Sequence, residues 1–292
     1  MTRNPVYAST AGIARHYHTL SDVLGALTGA GMEQIELGWA PPPNGLSLSQ
    51  DLAKFQARWL VHNYFPAPLQ PFVLNLASQH LGTLKRSREF CVQSIWLSAG
   101  LGAPFYSVHC GFLAEFEPVA LGRQLQSSEI CDYERGYATF ISSLQILLSE
   151  AKGAGIRLLI EPNVVAPFNL IDGRNRMLML AEPWEFSRLL TDLPDERLGV
   201  LLDLGHLKVT AATLGFGIDD FIDVVAPAVG AFHLHDNDGT KDQHLPVFAD
   251  SWALNVCRDP RFAGRAVVNE AKFAGVQEMV GHCHWLENIL NP

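Results

Sequence analysis

Short apolar segments alternate with longer amphipathic segments along the whole chain. The short segments are rich in Val, Ile, Leu and Phe, and their length and nearly continuous hydrophobicity are typical of β-strands buried on both faces. Eight segments of this kind predict strands, at residues 6–9, 34–37, 59–62, 105–109, 157–161, 199–203, 231–235 and 266–270.

The amphipathic segments between these strands predict helices. Thr19 and Ser21 can cap a helix that begins near residue 20, glycines follow the ends of several segments, and Pro183 suits the first turn of another helix. The clearest helices are predicted at residues 20–30, 86–99, 133–151 and 183–190. Strand–helix alternation implies parallel strands joined by right-handed crossovers.

The chain has 292 residues, a length that suits either two average domains or one large α/β barrel. Eight strand–helix units would take about 36 residues each, which a barrel of this type accommodates. No linker, break in composition or internal repeat divides the sequence. We therefore predict a single (β/α)8 TIM barrel, of the α/β class, that forms one domain over residues 1–292. A doubly wound sheet has the same alternation and is the alternative.

The composition argues against several classes of protein. Hydrophobic residues make up 48% of the chain, too many for a disordered protein, and no apolar run approaches the roughly 18 residues of a membrane span. The net charge is −9, without a long basic segment, which argues against a nucleic-acid partner. The first residues lack the apolar stretch of a secretory signal, and the five cysteines are odd in number and widely spaced. A cytoplasmic location is the expectation.

Eleven histidines are many for a chain of this length, and their positions carry information. Six predicted strands finish on residue types that bind metals, at His62, His109, Glu161, Asp203, His233 with His235, and Glu270. Because the C-terminal ends of parallel barrel strands converge on one rim, we expect these side chains to meet there. One such histidine or glutamate is usually a satisfied core residue or an ion-pair partner, whereas six endings of this kind favour a functional site.

Three local motifs sharpen this prediction. Glu161 follows three aliphatic residues, so its charge requires a cation or a proton as partner. Asp203 and His206 form an Asp-x-x-His pair just past a strand. Residues 232–246 contain three histidines and three aspartates, and two of the histidines share one face of the strand. Mixed imidazole and carboxylate ligands suit Zn²⁺, Mn²⁺ or Co²⁺, and Mg²⁺ where carboxylates dominate.

In chain order, these residues resemble the xylose-isomerase-like, endonuclease-IV-like TIM-barrel superfamily, and within it the sugar-phosphate isomerase/epimerase branch. The most specific match is His-Leu-His-Asp-Asn-Asp-Gly-x-x-Asp-x-His-Leu-Pro at residues 233–246. Residues 62–66, 74–78 and 108–112 are also similar to that branch. The branch usually continues with a Gly-x-Gly turn, whereas Pro246 here runs into Val-Phe-Ala-Asp-Ser-Trp, so the resemblance leaves the substrate open.

The resemblance covers nearly the whole chain and implies a divalent metal ion as the cofactor, Mn²⁺, Zn²⁺, Co²⁺ or Mg²⁺. The implied metal ligands are Glu161, Asp203, His233 and Glu270. The candidates for a second metal or for substrate binding are His62, His109, His206, Asp242 and His244.

The implied activity is isomerisation or epimerisation of a sugar, a cyclitol or a sugar phosphate. Glu161 and Glu270 would be the catalytic residues, one removing a proton and the other returning it to a metal-stabilised enediolate. Loss of a β-hydroxyl instead would make the protein a dehydratase of a keto-sugar or inosose. The expected partner is a small sugar-like molecule rather than a membrane or nucleic acid, and a homo-oligomer stays an option.

Two other functions stay open. The nine candidate ligands also resemble, in chain order, the set of a three-zinc abasic-site endonuclease, although the charge of −9 argues against binding a DNA duplex. A non-catalytic ligand-binding barrel is the third possibility, which the absence of either glutamate would favour; both are present.

Weaker candidates surround this set. Trp39 and Phe112 could wall the substrate, Glu36 is expected to orient a neighbour at the rim, and Lys208 is interpreted as a solvated side chain. Two long loops are expected at the same face, residues 38–47 and 162–182.

Overall fold

The structure is a computed structural model that describes residues 3–41, 48–127 and 129–292. Eight parallel strands close into a barrel in chain order. They are β1 (Val6–Ser9), β2 (Gln34–Leu37), β3 (Arg58–His62), β4 (Phe105–His109), β5 (Arg157–Glu161), β6 (Leu198–Asp203), β7 (Val229–Leu234) and β8 (Ala266–Asn269). The first and last strands lie side by side, with Val6 opposite Val267. This closure confirms the predicted (β/α)8 barrel and excludes the open doubly wound sheet.

Helices follow the strands on the outside of the barrel. They are α1 (Leu20–Gly29), α2 (Leu48–Leu52), α3 (Leu81–Gly100), α4 (Tyr133–Ala154), α5 (Pro183–Asp192), α6 (Leu204–Leu214), α7 (Ile218–Val225), α8 (Trp252–Cys257) and α9 (Val276–Leu290). The predicted start of α3 at residue 86 is wrong, because the His80 imidazole accepts a hydrogen bond from the Thr83 amide and caps the helix earlier. Helix α4 ends where Gly155 adopts a left-handed conformation, with φ 73°.

Alternation along the strands decides which side chains face the inside of the barrel. The middle of the barrel is filled by one buried cluster, Tyr7, Leu60, Phe105, Leu159, Leu201, Ala231, Ala266 and Val268. Alternate residues of a strand share a face, so two positions further along β5 and β6 the same side carries Glu161 and Asp203. His62 and His233 follow Leu60 and Ala231 in the same way. The barrel interior is therefore apolar in its middle and polar at its C-terminal rim.

Strands β7 and β8 each end one residue earlier than predicted, at Leu234 and Asn269. His235 and Glu270 therefore occupy the first position after the strand instead of its last position. The Glu270 amide still donates a hydrogen bond to the Leu234 carbonyl, at 3.3 Å. Both side chains consequently stay at the rim.

The two long loops predicted at the catalytic face follow β5 and β2. The 162–182 loop includes a short 3₁₀ turn, Pro167–Asn169, and its end is held by Glu185, whose carboxylate accepts hydrogen bonds from three consecutive backbone amides. In the 38–47 loop, residues 42–47 lie outside the described residues. Within the described ranges, no helix combines the length and hydrophobicity needed to span a membrane.

Helix α1 begins at a capping box. The Thr19 hydroxyl accepts a hydrogen bond from the Asp22 amide, and the Asp22 carboxylate accepts one from the Thr19 amide, each at 3.2 Å. Thr19→Ala is therefore expected to lower the free energy of unfolding by about 1 kcal/mol, because one amide of the first turn loses its partner. Urea denaturation would measure the change. Thr19→Ser keeps the hydroxyl and is the control, and an equal loss in both variants would contradict the prediction.

Candidate functional site

The C-terminal ends of β3 to β8 carry a dense cluster of histidine and carboxylate side chains. The structure brings together all nine candidates named from the sequence, and each contacts at least one other member. We call them the rim cluster: His62, His109, Glu161, Asp203, His206, His233, Asp242, His244 and Glu270. Residues that are more than 200 positions apart in the chain meet here because parallel strands share one rim.

Glu161, at the end of β5, lies at the centre of the rim cluster. Its Oε2 is 3.2 Å from His62 Nε2 and 3.3 Å from His109 Nδ1. Its Oε1 is 3.3 Å from His233 Nδ1 and 3.4 Å from His206 Nδ1. The carboxylate is thus buried with four imidazole nitrogens at ion-pair distance, which favours its charged form.

The two carboxylate oxygens of Asp203 have different roles: one caps a helix and the other faces the site. Its Oδ1 accepts a hydrogen bond from the His206 amide at 2.7 Å and caps α6, which begins directly after β6. Its Oδ2 lies 3.0 Å from His235 Nε2 and 3.6 Å from His233 Nδ1. Gly205 makes room for this arrangement, because a Cβ at that position would be 1.9 Å from the His235 ring. The glycine of the Asp-Leu-Gly-His motif is therefore required by packing.

The loop after β7 folds back over the rim and completes the cluster. A pair of backbone hydrogen bonds between Asp236 and Leu245 closes this loop and returns Asp242 and His244 to the site. His244 Nε2 is 2.8 Å from Asp242 Oδ2, while Glu270 Oε2, after β8, is 3.8 Å from His244 Nδ1. The rim cluster is thus continuous from β3 to β8.

Charge interactions govern protonation in the cluster. Burial alone would raise the pKa of Glu161, but the imidazole rings around it, including that of His233, bring it below its usual value. Burial would also lower the pKa of His233, yet Glu270, Glu36 and Glu161 raise it well above the usual value. Without a metal, therefore, the central carboxylate is ionised and His233 holds a proton close to it.

His109 differs from His206 and His233. Burial lowers its pKa to about 4, an effect that the adjacent Glu161 carboxylate only partly offsets. The ring is therefore neutral at physiological pH, and a neutral imidazole has a lone pair available for a metal.

The donor atoms of the rim cluster fit a divalent cation. In the part of the chain that the structure describes, both Glu161 oxygens, His233 Nδ1 and Asp242 Oδ1 are buried without a hydrogen-bond partner. Such orphaned atoms are costly unless an ion or water completes them. The side chains of Glu161, Asp203 and His233 offer donor atoms within 4.8 Å of one another, and so do those of His62, His109 and Glu161. Mixed oxygen and nitrogen donors of this kind suit Zn²⁺, Mn²⁺ or Co²⁺.

Residues outside the rim cluster orient its histidines. Glu36 Oε2 lies 3.0 Å from His233 Nε2, so His233 presents its other nitrogen, Nδ1, to the site. Glu36 thus orients a neighbour at the rim, as predicted from the sequence. Ser107 Oγ lies 3.0 Å from His62 Nδ1, which leaves His62 Nε2 towards Glu161. Ser107 was not predicted, since nothing in the sequence marks a serine in the middle of β4 as a partner.

The structure corrects the interpretation of Lys208 as a solvated side chain. Its ammonium group is half-buried and lies 2.6 Å from Asp236 Oδ1, where it also donates to the Asn237 carbonyl. Lys208 therefore fixes the start of the loop after β7 through two of its three N–H donors. His235 is a further residue that the predicted ligand set omitted, although its side chain is buried against Asp203.

A cavity of about 750 Å³ opens above the rim cluster. Glu161, His206 and Glu270 form part of its floor, and Trp39 and Phe112, the aromatic residues named from the sequence, line its walls. The site is thus a concave pocket with ionisable groups at one end, the general form of a small-molecule site.

Comparison with known families agrees with this arrangement. Residues 24–271 match the model of the xylose isomerase-like TIM barrel family. The chain belongs to this family. The xylose isomerase-like fold thus covers β2 to β8 and every member of the rim cluster. No functionally curated protein sequence matches the chain.

Solved structures share the fold of this xylose isomerase-like barrel at low identity. A D-tagatose 3-epimerase-like protein has a TM-score of 0.70 and 16% identity, and the match covers 99% of this chain and 97% of that one. The 3-keto-D-glucoside 4-epimerase from E. coli has a TM-score of 0.66 and 10% identity, covering 98% and 100%. An AP endonuclease, family 2, from Brucella melitensis has a TM-score of 0.67 and 14% identity, covering 99% of both chains.

Proposed function

We propose that the protein is a divalent-metal-dependent isomerase or epimerase of a sugar-like substrate. The observation that carries this proposal is the convergence of two carboxylates on one imidazole nitrogen. Glu161 Oε1 and Glu270 Oε2 lie 3.3 and 3.2 Å from His233 Nδ1, and they approach it from β5 and from the end of β8. Two carboxylates beside one bound carbonyl compound can remove a proton and return it.

The proposed metal ligands are Glu161, Asp203, His233 and Glu270, with the other members of the rim cluster as ligands of a second metal or as substrate contacts. A divalent cation held there would polarise a carbonyl oxygen as a Lewis acid. The named epimerases with the same fold are compatible with this proposal. The dehydratase alternative uses the same residues and differs only in the loss of a β-hydroxyl.

The two glutamates differ in ways that suit different tasks. The Glu161 side chain is 1% exposed and held among four ring nitrogens, whereas that of Glu270 is 12% exposed. Both line the cavity. Either carboxylate can take a proton from the carbon next to a carbonyl. Return to the opposite face of that carbon gives an epimer, and return to the neighbouring carbon gives an aldose–ketose pair.

Metal analysis followed by an exchange screen tests the proposed function. The purified protein, before and after treatment with a chelator, is incubated in D₂O with ketoses, cyclitol ketones and their phosphates. We expect bound divalent metal and metal-dependent incorporation of deuterium next to the carbonyl of at least one compound class. A protein that binds no divalent metal, or incorporation that persists after complete metal removal, would contradict the proposal.

An abasic-site endonuclease is the second candidate, because the rim cluster has more donors than one metal needs. His206 Nε2 and His244 Nε2 lie 3.5 and 2.8 Å from Asp242 Oδ2, apart from the His62–His109 group beside Glu161. The net charge of −9 argues against it, since a duplex is bound through its phosphates. A duplex with one abasic site is the test, and metal-dependent cleavage at that site would favour the nuclease.

Glu36→Gln is expected to weaken metal binding about ten- to a hundredfold. Glu36 and His233 are both fully buried, and their hydrogen bond decides which ring nitrogen faces the site. Glutamine can present its amide NH₂ instead of an acceptor and so destabilises that orientation. Competition with a metal-binding dye for Co²⁺ measures the affinity. Glu33→Gln changes an exposed glutamate beside the same strand and is the control; equal affinities of the two variants would refute the prediction.

A further inference from the structure

The cavity above the rim cluster is larger than the cluster itself requires. Its volume of about 750 Å³ lies in the upper part of the range of about 300–1,000 Å³ that is typical of sites for drug-sized ligands. The rim cluster occupies only its inner end. The chemistry of the remaining wall therefore indicates what else the substrate carries.

One side of the cavity is apolar and aromatic. The loops after β2, β3, β4 and β5, which are neighbours around the barrel, contribute five rings that line it. We call these rings the aromatic arc: Trp39, Tyr64, Phe72, Phe112 and Phe168. Three prolines, Pro68, Pro71 and Pro118, extend the same surface. Trp39 is 52% exposed and Phe168 is 41% exposed, so a large apolar area faces the cavity and solvent.

Several polar groups on this side already bond to the protein itself. The Asn163 side-chain amide donates to the Gly111 and Met179 carbonyls, and the Asn169 side-chain oxygen accepts from the Leu125 amide. The Tyr64 hydroxyl accepts a hydrogen bond from the Phe72 amide at 2.7 Å. The ring faces themselves offer no hydrogen bond, so a sugar hydroxyl placed against them would lose water without gaining a partner, which is unfavourable.

The opposite side of the cavity is polar. The first turn of α6 contributes His206, and the loops after β7 and β8 contribute Asp242, His244 and Glu270 of the rim cluster, together with the exposed Lys241 and Lys272. Charged and hydrogen-bonding groups are thus concentrated on one half of the pocket, next to the proposed metal. The lining of the apolar half also includes one exposed cationic side chain, that of Arg123.

We propose that the substrate is a conjugate, in which a polar sugar-like head binds at the rim cluster and an apolar or aromatic substituent lies on the aromatic arc. A glycoside whose sugar ring carries a ketone and whose aglycone is an aryl group has this chemistry, and the ketone supplies the carbonyl that the proposed proton transfer needs. This inference rests on the proposed function, which places the sugar-like head of the substrate at the rim cluster. It adds that the rest of the substrate is apolar and binds on the aromatic arc. The flat faces of the rings suit stacking, and burial of a phenyl group there gains the hydrophobic free energy that a free monosaccharide lacks.

The aromatic arc is rigid enough to recognise a substituent. Phe72 packs at 5.5 Å from the Tyr64 ring, with the Arg86 guanidinium 4.1 Å above its own ring. The Phe112 backbone is tied to the Asn75 side chain by two hydrogen bonds, of 2.9 and 3.1 Å. Because these side chains are already held in position, binding a ligand against them costs little conformational entropy.

The test compares two ligands that differ only in the aglycone, phenyl β-D-glucoside and methyl β-D-glucoside, with the α anomers as a second pair. Binding to the purified, metal-loaded protein is measured by calorimetry and by tryptophan fluorescence. We expect the phenyl compound of at least one pair to bind about tenfold more tightly or better. Phe168→Ala and Trp39→Ala should each reduce this preference and leave the affinity for the methyl compound nearly unchanged.

Matched control variants change exposed aromatic residues away from the cavity. Phe248→Ala and Trp96→Ala remove side chains that are 73% and 50% exposed, and neither lines the pocket. Both should keep the preference for the phenyl glucoside. Equal affinity for phenyl and methyl compounds in both pairs, including the case in which neither binds, would overturn the inference. So would a preference that the arc variants retain.

The outcomes also separate this inference from the proposed function. A phenyl preference that depends on the aromatic arc, in a protein that exchanges no substrate proton in D₂O, would sustain the conjugate and refute the isomerase. Metal-dependent exchange on free monosaccharides, without any phenyl preference in binding, would sustain the isomerase and refute the conjugate.

Discussion

Glu161→Gln and Glu270→Gln are each expected to lower the rate of metal-dependent proton exchange by about a hundred- to ten-thousandfold. Glutamine has nearly the same shape as glutamate but accepts no proton at neutral pH, and loss of a positioned acid or base has effects of this size. The rate is measured by deuterium incorporation into a substrate identified in the exchange screen. Wild-type rates in both variants would contradict the two-carboxylate mechanism.

The two variants should differ in metal content, which separates binding from catalysis. Glu161 contacts four imidazole nitrogens, whereas Glu270 contacts His233 and, more distantly, His244. Glu161→Gln is therefore expected to lose more metal than Glu270→Gln. Rates are compared per bound metal ion, so a residual loss in Glu270→Gln reports on proton transfer.

A matched substitution controls for the general effect of losing one carboxylate. Glu150 lies on α4, away from the rim, and its carboxylate accepts a hydrogen bond from the Trp96 indole at 2.9 Å. Glu150→Gln should keep the wild-type exchange rate and metal content. Circular dichroism of all three variants shows whether the barrel is intact, because a misfolded variant would also lose activity.

The strands and the residues at their C-terminal ends could be predicted because both leave a signal in consecutive residues of the sequence. A fully buried parallel strand is a short apolar run, and its last inward-facing residue is polar only where the barrel opens. Leu159 followed by Glu161, and Leu201 followed by Asp203, show this change within single strands. The position of the ionisable groups at strand ends therefore predicted which of them would meet.

Several helices could not be predicted, for local reasons. Helix α6 starts at Leu204, directly after Asp203, so no loop separates it from β6, and Gly205 in its first turn weakens the helical pattern. Helices α2 and α8 have five and six residues, too few for a clear amphipathic period. Tertiary packing, not intrinsic propensity, decides such elements.

The finer contacts of the site depend on pairs that are distant in sequence. Glu36 and His233 are 197 positions apart, and nothing local shows that one orients the other. The role of Gly205 depends on His235, whose ring occupies the space that a side chain would need. The nitrogen that each imidazole presents is a three-dimensional property, so the sequence could name the ligands but not their geometry.

Metal affinity is expected to rise steeply with pH between pH 6 and 8, because the metal must displace protons from the rim cluster. Burial alone would lower the pKa of His206, but Asp203, Asp242 and Glu161 raise it well above the usual value, and His233 behaves in the same way. A group with a raised pKa holds its proton through neutral pH, so binding releases that proton and becomes easier as pH increases. Each displaced proton should change the affinity about tenfold per pH unit.

Calorimetry with Mn²⁺ or Co²⁺ at pH 7, in two buffers of different ionisation enthalpy, counts the protons released. An unperturbed imidazole, with a pKa near 6.5, would release only a fraction of a proton there, so a value above one per metal ion supports the charged cluster. Asp242→Asn removes a carboxylate that raises the pKa of His206 and should reduce proton release. An affinity that is flat between pH 7 and 8, with no proton release in either buffer, would show that His206 and His233 are already neutral and that the carboxylates do not hold protons on them.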